Sequence, residues 1–140
     1  MKKYQLFVVI ALFTILAVFA NDEQFYSALQ NCSSYTDSGS SVVDGQNIKF
    51  KNQILGWSNG KCTYKEIVNY GGNDMCVTCK LSKAQVDELV GVMRAYSVVQ
   101  KYSGEKVDTS KLSAVENNPV VNAWNKYLKD SSVCSIDIAE

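Results

Sequence analysis

The chain has 140 residues, 46% hydrophobic and 20% charged, with 14 basic side chains balanced by 14 acidic ones. That length implies one domain with its own core. Zero net charge and a single arginine, Arg94, leave no cationic stripe for nucleic acid. The absence of histidine excludes Ser-His-Asp and Cys-His catalysis and a histidine pH switch, and removes the main nitrogen ligand of zinc and copper sites, so a zinc site would need four of the five cysteines.

Residues 1–20 have the layout of a cleaved secretory signal. Met1-Lys2-Lys3 is a positive head, Tyr4 to Phe19 a nearly unbroken apolar run, and Val18-Phe19-Ala20 a peptidase-readable end. Cleavage is expected after Ala20, giving a secreted or periplasmic domain over 21–140 with a slight acid excess. The alternative is an uncleaved anchor, since a span needs about 20 apolar residues. Gln5 and Thr14 interrupt the run and no positive flank follows it, so the membrane is met only through this segment, if at all.

Residues 22–32 read as a short amphipathic helix, with Phe25, Leu29 and Cys32 on one stripe and Asp22 and Glu23 at its start. Asn31-Cys32-Ser33 fits the N-glycosylation pattern, and also a helix-ending Asn followed by a bridged Cys. Residues 33–41 read as a loop of small polar residues.

An antiparallel meander of three to four strands is expected over about 42–81. Asp44-Gly45, Asn59-Gly60 and Gly71-Gly72 mark its turns. Two-residue turns there set Trp57 opposite Cys62, Leu55 opposite Tyr64 and Tyr64 opposite Cys79. One face then collects Leu55, Trp57, Cys62, Tyr64, Val68, Met75, Val77, Cys79 and Leu81. The apolar phase slips between Ile48/Phe50 and Leu55/Trp57, which Gly56 or a bulge near Ile54 would absorb.

A long helix follows over 83–102, capped by Ser82 with Gln85 three residues on and stopped at Gly104. It carries two apolar stripes: Val86, Leu89, Val90, Met93 and Tyr96; and Val92, Ala95, Val99 and Tyr102. Both are expected to be covered, by the sheet and by a C-terminal helix over 119–129 that opens at Asn118-Pro119. Gly91 inside the helix implies close packing against a neighbour. Residues 130–140 read as a tail holding Cys134. The sum is an α+β layer structure.

Five cysteines, Cys32, Cys62, Cys76, Cys79 and Cys134, are disulfide candidates, and their odd number leaves one over. Cys76-Val77-Thr78-Cys79 has the spacing of a thiol-redox pair, but in a strand residues three apart point to opposite faces about 10 Å apart. A disulfide needs Cα atoms within about 7 Å, so the two look to different partners. Cys62 and Cys79 share the core face, Cys32 suits a sheet cysteine, and Cys134 ties down the tail.

The aromatics Trp57, Tyr64, Tyr70, Tyr96, Tyr102 and Trp124 suggest a sugar-binding platform or core packing, and their strand and helix periods favour the core, with Tyr70 beside the Gly71-Gly72 turn the most exposed. Glu66, on the apolar strand face, reads as a carboxylate at a strand end open to water, near Lys51 or Lys65. The rival reading is a buried acid, which alone makes no catalytic site. Asp44, Asp74, Asp87, Glu88 and Asp108 form no calcium loop. These readings point to an exported, disulfide-stabilised, non-enzymatic domain, without cofactor or metal, that binds a protein or small ligand outside the cytoplasm. Binding is expected on loops 33–46 and 103–117. The alternative is a thiol-redox enzyme using Cys76 and Cys79, and the odd cysteine allows a disulfide-linked dimer.

Overall fold

Ser82 accepts the Gln85 amide N–H at 3.2 Å, and the Gln85 side chain accepts the Ser82 N–H at 2.8 Å. The computed structural model describes residues 23–43, 45–104 and 118–138, and this reciprocal cap starts the longest helix among them. The leader, Asp44 and most of the 103–117 loop lie outside the described residues.

The elements run α1 (Glu23–Asn31), β1 (Tyr35–Val43), β2 (Gln46–Ser58), β3 (Lys61–Tyr70), β4 (Asn73–Leu81), α2 (Lys83–Ser103), α3 (Pro119–Leu128) and β5 (Cys134–Ile138). The strands form one antiparallel sheet in the order β1-β2-β3-β4-β5. The class is α+β, with five strands rather than three to four. Asn59 and Gly60, and Gly71 and Gly72, all take positive φ, the requirement of tight two-residue hairpin turns. Asn118 caps α3 by accepting the Val120 N–H at 2.9 Å, with Pro119 in the first turn.

Two strands were not foreseen. The presumed loop 33–41 holds most of β1, whose small polar residues pair in unbroken register with β2 from Tyr35↔Ile54 to Val43↔Gln46. The tail holds β5, which pairs with β4 from Cys79↔Cys134 to Met75↔Ile138. Neither has strong strand propensity, so partner and disulfide impose the strand.

Alternation of burial defines two faces. Three rows run across the covered one: Tyr35–Ile54–Tyr64–Cys79–Cys134, Asp37–Asn52–Glu66–Val77–Ile136, and Gly39–Phe50–Val68–Met75–Ile138. The Phe50 ring lies over Gly39, where a Cβ would meet it at 2.9 Å. Phe25, Leu29, Val86, Leu89, Val90, Val121 and Trp124 from the helices complete the core.

The register slips between Ile54 and Gly56, so Ile54, not Leu55, faces Tyr64. Trp57 does lie opposite Cys62. The slip leaves Leu55 unpaired, and beyond it Leu55 and Trp57 are exposed rather than core, Trp57 to 44%. Gly56, at φ 110°, accommodates the bulge.

The first stripe of α2 is covered, whereas of the second only Val92 packs against the core. Val99 is exposed and Tyr102 is 87% exposed, because the ten residues of α3 cover only part of a helix of 21. Gly91 is exposed, and a Cβ there would meet nothing within 4 Å, so among the described residues the close packing expected of it is absent. With no contact to lose, Gly91→Ala should stabilise the fold by about 1 kcal/mol in urea unfolding, the helix-propensity difference. A loss of stability would place a neighbour against this helix face.

Candidate functional site

Three features carry chemistry: the bridges, a buried polar row and the uncovered sheet face. Cys32 bonds Cys62, joining the end of α1 to the start of β3, with Cα atoms 5.9 Å apart. Cys79 bonds Cys134, directly opposite on the neighbouring strand, with Cα atoms 4.1 Å apart. Cys76 is a free, half-buried thiol on the opposite face from Cys79. Asn31 ends α1, and Cys32 beside it takes a positive φ of 47°. Two such bridges suit an oxidising, extracytoplasmic compartment. No helix among the described residues is long and apolar enough to cross a membrane.

Glu66 does not sit at a water-filled strand end. It is 1% exposed and lies directly across from Asn52, itself fully buried. Strand alternation sends Lys51 and Lys65 to the other face, because Glu66 has even parity with the core residues Tyr64 and Val68. The Tyr64 hydroxyl lies 3.3 Å from Asn52 Oδ1 and 3.2 Å from Glu66 Oε2, so one proton faces two acceptors. The Asn52 amide nitrogen is buried without a hydrogen-bond partner. Turning that amide by half a rotation would let Nδ2 donate to the Tyr64 oxygen and give the phenol proton wholly to Glu66.

Burial first, then the charge of Glu66 and its hydrogen bond, push the Tyr64 phenol well above the ordinary tyrosine range. Its ring packs 5.1 Å from Trp124 and 6.2 Å from Phe25. The Trp124 indole N–H is buried without an acceptor among the described residues. This row is sealed under the helices. It specifies packing more than it offers a substrate a place. Tyr70, expected at the surface, is half-buried against the core.

Two charged contacts link the helices at the surface. Arg94 on α2 donates to Gln30 at 2.5 Å and to Glu23 at 2.6 Å on α1, and this bond holds the Glu23 carboxyl below its ordinary value. Glu88 on α2 accepts from Lys126 and Tyr127 on α3, which lower its carboxyl in that order.

The uncovered face carries Lys49 and Lys51 on β2, Lys61 and Lys65 on β3, and Lys80 on β4. None of these five takes part in an ion pair among the described residues, whereas Lys83, Arg94 and Lys126 on the helices all do. These lysines are scattered along the chain, so no basic cluster stands out in the sequence. Their common strand parity was the available signal. Among the described residues, no group of histidine, cysteine, aspartate or glutamate could hold a metal.

The bridges span 30 and 55 residues, so each should contribute about 4 kcal/mol by restricting the unfolded chain. Reductant should therefore lower Tm by tens of degrees, and an unchanged melt would contradict this. Tyr64→Phe should cost about 1 kcal/mol at pH 8, the worth of a buried hydrogen bond. Because the folded-state value is raised, the stability tied to keeping this proton is complete below pH about 10 and lost as pH rises above it. The gap between wild type and Tyr64→Phe should thus shrink between pH 8 and 11. Urea titrations on a Cys76→Ser background, which blocks disulfide exchange, check this; a constant gap would contradict it. Comparison of the chain with protein-family models, curated proteins and solved structures finds no match.

Proposed function

We propose that the chain is an exported, disulfide-braced binding domain that performs no catalysis, and that its binding surface is the uncovered face of the sheet. The observation that carries this reading is the use of four of the five cysteines in two bridges, one tying helix to sheet and one tying the last strand to its neighbour. Residues 1–20 fit the same picture as a leader shed after Ala20.

The sheet surface is favoured over loop 33–46 because nearly all of that segment is strand and hairpin. The redox alternative fits poorly. A Cys-x-x-Cys couple works when both sulfurs reach each other, whereas Cys79 is engaged with Cys134 and Cys76 faces away. Cys76, between Ile67 and Asp137 in its row, remains the one thiol through which two copies could be linked.

Expression of the full chain in a secreting host tests the proposal. The released protein should begin at Asn21, run as a monomer without reductant, and fail to accelerate insulin reduction by dithiothreitol. Retention inside the cell at full length, or turnover of insulin disulfides abolished by Cys76→Ser, would overturn it.

A further inference from the structure

The five lysines of the uncovered face form a line. Lys49 and Lys51 are two residues apart on β2, about 7 Å. Lys51 pairs with Ile67 and Gln53 with Lys65, so Lys51 and Lys65 are diagonal neighbours. Lys65 pairs with Thr78 and Thr63 with Lys80, so Lys80 is diagonal to both Lys65 and Lys61. Diagonal positions lie about 7–8 Å apart, within reach of lysine side chains. The result is an oblique cationic track crossing three strands.

The only acids on this face among the described residues are Asp74 and Asp137. Both lie off the track, Asp74 bonded by Asn69 at 2.8 Å and Asp137 opposite Cys76 on the edge strand. Gathering like charges without interleaved acids works against folding, whereas on the helix side Lys83, Arg94 and Lys126 each meet a carboxylate.

We infer that this track is the docking site of a linear acidic polysaccharide, whose repeating carboxylates or sulfates match a line of cations better than any single anion would. The inference rests on the exported-binding-domain reading and supplies its partner. Around the track stand hydrogen-bonding side chains suited to sugar hydroxyls: Gln53, Thr63 and Thr78.

Three other occupants fit less well. A protein interface wants an apolar or aromatic centre, and the middle of this face offers only half-buried Ile67 and Cys76. A bilayer wants several side chains to insert, yet by register this face offers exposed Val42 on the edge strand, while exposed Trp57 lies opposite Cys62 on the helix-covered side. A nucleic acid is best gripped by arginine forks, and the sole arginine, Arg94, is held on the helix side by Glu23 and Gln30.

The test titrates the oxidised full-length secreted protein with polygalacturonate, heparin, neutral dextran, duplex DNA, and vesicles of phosphatidylglycerol in phosphatidylcholine. Binding to the two acidic polysaccharides is expected at low salt and should vanish near 1 M salt, where screening reaches about 3 Å. The triple variant Lys49→Gln/Lys51→Gln/Lys65→Gln should bind about tenfold more weakly, each exposed ion pair being worth a few-fold. Lys101→Gln/Lys129→Gln, on the helix side, should bind as wild type. Bound polysaccharide should also slow iodoacetamide alkylation of Cys76, which lies on the same face.

Absence of polysaccharide binding overturns the inference. So does an equal loss in both variants, unchanged alkylation under saturating ligand, or preference for DNA or vesicles over both glycans. If the protein is secreted and bridged yet ignores every polyanion, the export reading stands and this one falls.

Discussion

A single sheet covered on one face has to hold its helices in place, and here two sulfur–sulfur bonds do that. Cys32–Cys62 anchors α1 where β3 begins, and Cys79–Cys134 anchors the last strand after the chain has travelled out through α2 and α3. Between these points the helices close over Tyr64, Val77 and Leu81 with an apolar layer built on Leu29, Leu89 and Trp124. Removing the bridges frees both ends of the layer at once. The charged contacts at Arg94 and Glu88 sit at the surface, where each contributes little. They orient helices that the bridges and the core have already placed.

The division of labour between the faces follows from strand alternation. Every second residue of β2, β3 and β4 is committed to the core, including the buried row of Asn52 and Glu66 with its Tyr64 phenol. Among the described residues the remaining ones meet no helix and are free to be chosen for something other than packing. On those positions the chain places lysines that form no ion pair among the described residues, while Lys83, Arg94 and Lys126 on the helices each meet a carboxylate. A neutral chain thus presents a locally positive face, which total charge conceals.

Much of the fold was legible in the residues. Ser82 with Gln85, Asn118 with Pro119, and the Asn-Gly and Gly-Gly turns are local signals whose physics needs no tertiary context. Hairpin arithmetic from those turns also set Tyr64 opposite Cys79 and separated the faces of Cys76 and Cys79. What stayed hidden depends on distant partners. β1, whose middle is Asp, Ser and Gly, becomes a strand because β2 offers an edge, and β5 needs the bridge to β4. The burial of Glu66 depends on helices that arrive later in the chain, as does the bareness of Val99 and Tyr102. The lysine track was written in the sequence but invisible until the register brought its members side by side.

Disulfide mapping of the secreted, non-reduced protein by mass spectrometry tests whether the two bridges hold this fold. Cys32 should be linked to Cys62 and Cys79 to Cys134, with Cys76 alone free to alkylate in the native state. A folded protein in which all five thiols alkylate, or in which Cys76 is bonded to Cys79, would contradict it.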